Sequence, residues 1–300
     1  MKYKYRAFGI PIYSEIELPA LAPYNGSEEG IKVYARSVPV ELSDPAASEN
    51  PFTKYNSREL MYDLPEIGRY YVLDGAEIWV EPLSDDIKTV LLYFYSNCLA
   101  AVLLQRNLLV YHVSGVLDSQ GKVVLIAGHS GAGKSTTATF LRSLGFTLFT
   151  DDTAILRVMD GKCYAKASYP MARLWEQTIA VQDVYTGDSK EVLRSKAEQY
   201  KYGFYFHDSF IEEEVEVSKI LFLQEEGSEI VARDLSLTEG LTSLSANLYR
   251  AHWHKGMKKQ KLVFQQLSQI INTVPVHQIC RPKGKATFET FAQSIATNYL

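Results

Sequence analysis

KVVLIAGHSGAGKSTTATFLRSL, residues 122–144, is the stretch on which the reading of this chain turns. Val123 to Ala127 are apolar and rich in β-branched residues, the pattern of a buried strand. Gly128-His129-Ser130-Gly131-Ala132-Gly133-Lys134-Ser135 then fits G-x-x-x-x-G-K-[ST] at every position. Ala138, Phe140, Leu141 and Leu144 recur at helical spacing, and Gly145 supplies a stop. A strand, a glycine loop and a helix in that order are the context of a phosphate-binding P-loop.

The chemistry requires these residue types. Gly128, Gly131 and Gly133 let the backbone curl so that successive N–H groups point inward as an anion nest. The helix beginning near Gly133 adds its positive end. Lys134 can reach the β- and γ-phosphates, and the Ser135 hydroxyl can bind Mg²⁺. The expected nucleotide contacts are therefore Gly128 and Ser130, Gly131, Ala132, Gly133, Lys134, Ser135 and Thr136, with ATP and Mg²⁺ as cofactors. His129 occupies a position where the motif accepts any residue, and it receives no role.

After the loop helix, Phe146 to Thr150 reads as a strand ending in Asp151-Asp152. A hydrophobic strand that ends in Asp beside a P-loop is Walker-B-like, because a carboxylate there can hold Mg²⁺. Two adjacent acids offer one for metal and one for the proton of a hydroxyl acceptor. The bland alternative is a turn or helix-cap pair.

Composition bounds the rest. The 300 residues are 46% hydrophobic and 22% charged, enough core for one large or two modest domains. A net charge of −4 gives no basic excess for nucleic acid. Cys98, Cys163 and Cys280 are scattered without ligand-like spacing, which fits a reducing, cytoplasmic setting. The N-terminus lacks a signal-peptide run. The apolar stretch Val90 to Leu104 is interrupted by Ser96-Asn97, is too short to span a bilayer, and reads as a buried helix opened by Ser84-Asp85-Asp86 with Ser84 as cap. No membrane partner is expected.

Residues 1–83 read as a β-rich domain, for substrate recognition or for packing alone. Tyr5 to Ile10, Gly30 to Tyr34, Leu60 to Leu64, Arg69 to Leu73 and Glu77 to Val80 are strand candidates, with a hairpin at Asp74-Gly75 and a loop over residues 41–56. Residues 84–300 read as the P-loop domain. Hairpins are expected around Asp160-Gly161 and around residues 225–228. A charged helix is expected over 190–202, with further helices at 238–253, 258–272 and 287–298 and a strand at 276–280. Hairpins after a P-loop argue for a mixed, largely antiparallel sheet rather than a doubly wound one. The basic run 252–261 reads either as a seat for an acidic peptide or as a solvated helix start.

GHSGAGKST followed by Asp151 and Asp152, 17 and 18 residues after Lys134, resembles the catalytic domain of HPr kinase/phosphorylase. It is most similar to standalone HPr-kinase-related proteins, some of which tailor lasso peptides. YRAFGIPI near the start, Gln105-Arg106, His112-Val113-Ser114, Tyr169 to Trp175, Val274 to Val276 and Arg281-Pro282 match further elements of those proteins. The second glycine-rich signature of true HPr kinases, with its acidic metal residue, is not recognisable; Glu176-Gln177 lies nearby.

The resemblance implies a phosphoenolpyruvate-carboxykinase-like P-loop core of mixed α/β architecture. It also implies serine kinase activity on a peptide or protein acceptor, and an oligomer. It makes His112 a neighbour of Asp151, although a hydrogen-bonded core histidine is the alternative. On this reading Asp151 is the general base, with Asp152 and Ser135 on Mg²⁺, and the two acids can exchange roles. Arg173 and Arg281 are candidates for phosphate or substrate, with surface ion pairs as the alternative. Two competing functions stand beside this one: a nucleotide-binding regulator without its own acceptor, and a small-molecule kinase.

Overall fold

A computed structural model describes residues 1–179, 190–196, 199–284 and 287–300. The chain is a mixed α/β protein with two large sheets. It divides into two units, one of residues 1–110 with 250–263, the other of residues 111–249 with 264–300. The boundary expected at residue 83 therefore falls at residue 110, and a late segment returns to the first unit.

In the first unit, nine strands lie in the order Ala22–Pro23, Tyr3–Ala7, Ile10–Ser14, Ile31–Ala35, Glu77–Pro82, Gly68–Leu73, Glu59–Leu64, Thr53–Tyr55, Ser48–Asn50. The expected strand over residues 5–10 is two strands, because Phe8 (φ 52°) and Gly9 (φ 72°) form a tight turn. The Asp74-Gly75 hairpin is present, with φ of 52° and 64°. The loop over 41–56 contains the short hairpin Ser48–Asn50/Thr53–Tyr55, in which Asn50 Oδ1 accepts the Phe52 and Thr53 amides.

The apolar helix runs continuously from Ile87 to Gln105, with a π segment at Phe94–Cys98. Asp86 caps it, accepting the Thr89 amide, while Ser84 accepts from the Asp86 amide instead. At 19 residues and mean hydropathy 1.6 it could, by length and composition alone, cross a membrane. Val90, Phe94, Cys98, Ala101 and Val102 are nevertheless fully buried, as in a core helix. Tyr70 donates to the Val90 carbonyl at 2.8 Å. Gln105 and Arg106 hold the Asp74-Gly75 turn: Gln105 Oε1 accepts the Gly75 amide at 2.6 Å and Arg106 donates to the Gly75 carbonyl at 2.8 Å.

Glu59 anchors the far side of this sheet. It is buried, and its carboxylate accepts from the amides of Ser43 and Asp44, from Asn56 Nδ2 and from the Tyr71 hydroxyl. Burial alone would raise its pKa; the donors, Tyr71 and Asn56 first, outweigh that and hold it at about 2. A folded-state value below the ordinary ~4.3 means this stabilisation is present above about pH 4.3 and is lost as pH falls toward 2. Hydrogen-exchange protection at Ser43 and Asp44 should therefore fall between pH 5 and 2, and Glu59→Gln should flatten that dependence. Protection unchanged across the window would exclude the role.

In the second unit, Val123–Gly128 is antiparallel to Ser114–Leu117 on one side and parallel to Val215–Glu225 on the other. Leu148–Thr150 pairs with Ser114–Leu117. The hairpin Ala154–Met159/Lys162–Ala167 is present, and its second strand pairs with the start of Val215–Glu225.

Val231–Asp234 does not pair with Val215–Glu225. Val276–Arg281 lies between them, parallel to the first and antiparallel to the second, so the hairpin expected around 225–228 is absent. Residues 190–196 and 199–205 are strands rather than a helix, joined with Met171–Trp175 in a small antiparallel sheet; residues 197–198 lie outside the described set. Helices Lys134–Ser143 and Phe288–Tyr299 cover one face of the large sheet, burying Val124, Ile126, Leu221, Leu223 and Ile279 beneath Leu141 and Phe291.

Candidate functional site

The loop has the backbone its sequence requires. Gly128, Gly131 and Gly133 have φ of 142°, 87° and 98°, values at which L side chains are strained. At Gly133 a Cβ would also come within 2.5 Å of the Phe288 ring, and at Gly128 within 2.8 Å of the Leu223 carbonyl. Gly133 is the N-cap of the helix Lys134–Ser143. Ser130 and Gly131 are exposed, and Ala132, Gly133, Ser135 and Thr136 are half-buried. Lys134 is buried, and its Nζ donates to the carbonyls of Gly128 at 2.9 Å and His129 at 3.3 Å. The ammonium thus lies at the beginning of the loop.

The two aspartates occupy different environments. Asp151 is 2% exposed and both its oxygens are engaged: Oδ1 accepts from the Ser114 hydroxyl at 2.6 Å and Oδ2 from the Arg173 amide at 2.8 Å. Those bonds tie the end of Leu148–Thr150 to two neighbouring strands. Asp152 has φ 69°, a left-handed conformation that Asp tolerates better than most residues, at a typical cost of about 1–3 kcal/mol. Its Oδ2 lies 3.1 Å from Arg173 Nη1 and its Oδ1 3.7 Å from His112 Nε2. His112 thus faces the carboxylate of Asp152, the acid next in the chain to the Asp151 that the resemblance makes its neighbour.

Arg173 is 6% exposed, and its Nη2 donates to the Tyr169 hydroxyl at 2.6 Å. Burial disfavours the guanidinium charge, but Tyr169, Asp152 and the other groups around it outweigh that and hold it firmly protonated. Burial also raises the Tyr169 phenol, which stays neutral near pH 7. Arg173 is thus a buried partner of Asp152 and not a surface ion pair. Arg281 is placed differently. Its guanidinium donates to the carbonyls of Pro282 and Gly284 and to Thr287 Oγ1, pairs with Glu225 at 3.1 Å, and lies 3.9 Å over the Phe288 ring. It thereby fixes the ring that closes over Gly133.

Asn247 is the residue that the sequence reading missed. Its carbonyl accepts the His112 amide and its Oδ1 accepts the Gly128 amide, both at 2.8 Å. One buried residue thus holds His112 and the start of the loop in register. The expected helix over 238–253 ends at Ala246 with Asn247 as its C-cap, and a short turn of helix follows at Trp253–Gly256. An Asn at the end of a helical pattern is a stop signal that the sequence carried. Two residues on, Tyr249 meets the His112 ring edge-on, with centroids 5.8 Å apart.

The basic run 252–261 belongs to the first unit and is partly buried. Trp253 packs on Tyr55, Lys259 donates to Asn107, and burial pushes His254 down to about 4. It is not a fully solvated helix start.

No group of three or more His, Cys, Asp or Glu among the described residues could cage a metal. An all-oxygen set of a serine hydroxyl and a carboxylate nevertheless suits Mg²⁺, which keeps waters and binds through one or two protein ligands plus phosphate. Ser135 and Asp152 supply those donor types. The curled glycine backbone at Gly128 to Gly133 suits a polyphosphate. A cleft of about 390 Å³ opens from Gly128 and His129 along the sheet, under the helix Leu237–Ala246.

No family model matches the chain, and no curated protein matches it in sequence. Among solved structures it is similar to the HPr(Ser) kinase/phosphatase from Coxiella burnetii, at 13% identity over 63% of this chain and 95% of that one, with a TM-score of 0.33. That is a distant HPr-kinase-like relation at most, and the reading of the site rests on its own residues.

Proposed function

We propose that the second unit is an ATP-dependent kinase that phosphorylates a serine hydroxyl on a peptide or protein. The observation that carries the reading is a P-loop of three positive-φ glycines in the same unit as a strained carboxylate, Asp152, held between Arg173 and His112. The residues Gly128 to Thr136 would cradle the nucleotide phosphates, and Lys134 would neutralise charge on the transferring phosphoryl group. Mg²⁺, held by Ser135 and phosphate oxygens, would supply further charge neutralisation.

The environments of the two acids favour moving the proton-accepting role to Asp152, without placing Asp151 on the metal in exchange. Asp151, with both oxygens bonded inside the protein, positions the strand end and the Arg173 backbone. Asp152 is the carboxylate that meets the acceptor hydroxyl, with Arg173 and His112 setting its orientation and charge. Backbone strain at one residue of a cluster like this is characteristic of working sites. The sequence resemblance to lasso-peptide tailoring kinases makes a ribosomally made precursor peptide the acceptor to try first, in a cytoplasmic setting.

The test is a mixture of serine-containing peptides and small hydroxyl metabolites incubated with γ-labelled ATP. Label is expected on peptide. Label confined to a metabolite would make the protein a small-molecule kinase, and tight ATP binding with no transfer would make it a nucleotide-binding regulator.

A further inference from the structure

We propose that Asn247 is the positioning residue of this site: it fixes the start of the P-loop against the strand end that carries His112, and it keeps that spacing while Lys134 moves to phosphate. The inference rests on the kinase reading above and deepens it by naming what holds the two halves of the site in register.

The tie stands where a sheet ladder stops. Ser114–Leu117 and Val123–Gly128 pair antiparallel from Leu117 and Val123 up to Ser114 and Ile126. Two residues further, the same register would set His112 opposite Gly128, but the pairing has ended. Both amides go to Asn247 instead. The His112 N–H donates to its carbonyl and the Gly128 N–H to its Oδ1, each at 2.8 Å. The two strands therefore part at the start of the loop, and one residue bonds to both.

The side-chain type follows from that place. Asn247 is 5% exposed, and its Nδ2 donates to the Ser243 carbonyl at 3.0 Å. Accepting from one backbone group while donating to another requires an amide; a carboxylate lacks the donor, and a serine hydroxyl is a bond shorter. The Ser243 bond, with the bond from the Asn247 amide to the Leu244 carbonyl, seats the residue on the end of Leu237–Ala246. Beyond it, Leu248 bridges to Tyr111, both of them buried, and Tyr249 meets the His112 ring edge-on. The anchor is thus held from both sides.

Gly128 is held twice, its amide by Asn247 and its carbonyl by the Lys134 ammonium at 2.9 Å. A P-loop lysine serves the β- and γ-phosphates, so a phosphate that draws the ammonium releases that carbonyl. The Asn247 bond then remains to hold the start of the loop. In-line transfer depends on the distance from the phosphoryl group on the loop to the Asp152 carboxylate, which faces His112. A misplacement of ~1 Å there costs about 10²-fold in rate.

The experiment uses the full chain, with backbone amide NMR signals followed during titration with magnesium tripolyphosphate. In the wild type the Gly128 and His112 amides should shift together. In Asn247→Ala the loop amides should still respond, while the His112 shift falls by more than about half. Should the alanine protein fail to fold, Asn247→Ser, whose hydroxyl is too short to reach Gly128, takes its place. Asn247→Asp keeps the acceptor and should recover most of the response. Ser236→Ala, which removes the cap at the far end of the same helix, should respond as the wild type does and so separates the tie from general loosening. With whichever serine peptide takes label from ATP, Asn247→Ala should lower kcat at least about tenfold, with nucleotide affinity within about threefold. The proposal is overturned if the His112 amide of Asn247→Ala responds as in the wild type, if Asn247→Asp loses the response as fully as alanine does, or if nucleotide affinity falls in step with kcat. A coupled His112 response without transfer of label to any acceptor would support the tie while removing the kinase reading. Transfer by a wild type whose coupling survives Asn247→Ala would do the reverse. No binding of tripolyphosphate would remove both.

Discussion

Asp152→Asn is expected to lower kcat by about 10²–10⁴, the range for losing one acid–base group. The substitution keeps size and removes the proton acceptor. It also leaves Arg173 without its carboxylate partner at 3.1 Å, and breaking a buried pair costs stability. Activity should therefore be scored per molecule that still binds the fluorescent nucleotide. Asp151→Ala should differ in kind. It strands the Ser114 hydroxyl and the Arg173 amide, and a buried group left unpaired costs about 1–3 kcal/mol. Its main effect should be a lower urea midpoint for the second unit. An Asp151→Asn protein that binds nucleotide normally but transfers nothing, beside an active Asp152→Asn protein, would return the base to Asp151. Full activity in both would remove both carboxylates from the chemistry.

The second large effect is at Lys134. Lys134→Ala should reduce transfer by at least about 10²–10³, the loss typical of deleting one preorganised charge at a transition state. The buried ammonium also bridges the carbonyls of Gly128 and His129, so the alanine variant should bind nucleotide more weakly as well. Lys134→Arg keeps the charge in a planar fork that matches neither the carbonyl pair nor a compact phosphate contact, and it should recover only part of the rate. Transfer by Lys134→Ala at near the wild-type rate would end the P-loop assignment.

What was legible in the sequence was what local rules write there. The P-loop, its strand and its helix follow from residues adjacent in the chain, and so do the Asp74-Gly75 and Asp160-Gly161 turns, where positive φ selects the residue type. What was not legible depended on distant partners. The placement of Val276–Arg281 beside Val215–Glu225 is a choice between strands about 50 residues apart that nothing near residue 225 announces. The roles of the two acids depend on Ser114 and on the amide and guanidinium of Arg173, which the sequence could not bring to them. Residues 190–202 read by their charge as a helix, although Tyr200, Tyr202 and Phe204 alternate at the strand period. Asn247 lies 119 residues from the Gly128 amide it binds.

The late strand Val276–Arg281 also sets an order of events in synthesis. Until residue 281 has emerged, Val215–Glu225 lacks the second of its two parallel neighbours and, among the described residues, Val231–Asp234 has no strand to pair with. The half-made unit then exposes an apolar strand edge, the kind of surface on which nascent chains aggregate or recruit chaperones. Such long-range parallel pairing is slow to form, because the loop must close before its contacts repay the entropy. A ribosome stalled before residue 276, or a chain cut there, should yield an insoluble product even though the whole P-loop has been translated.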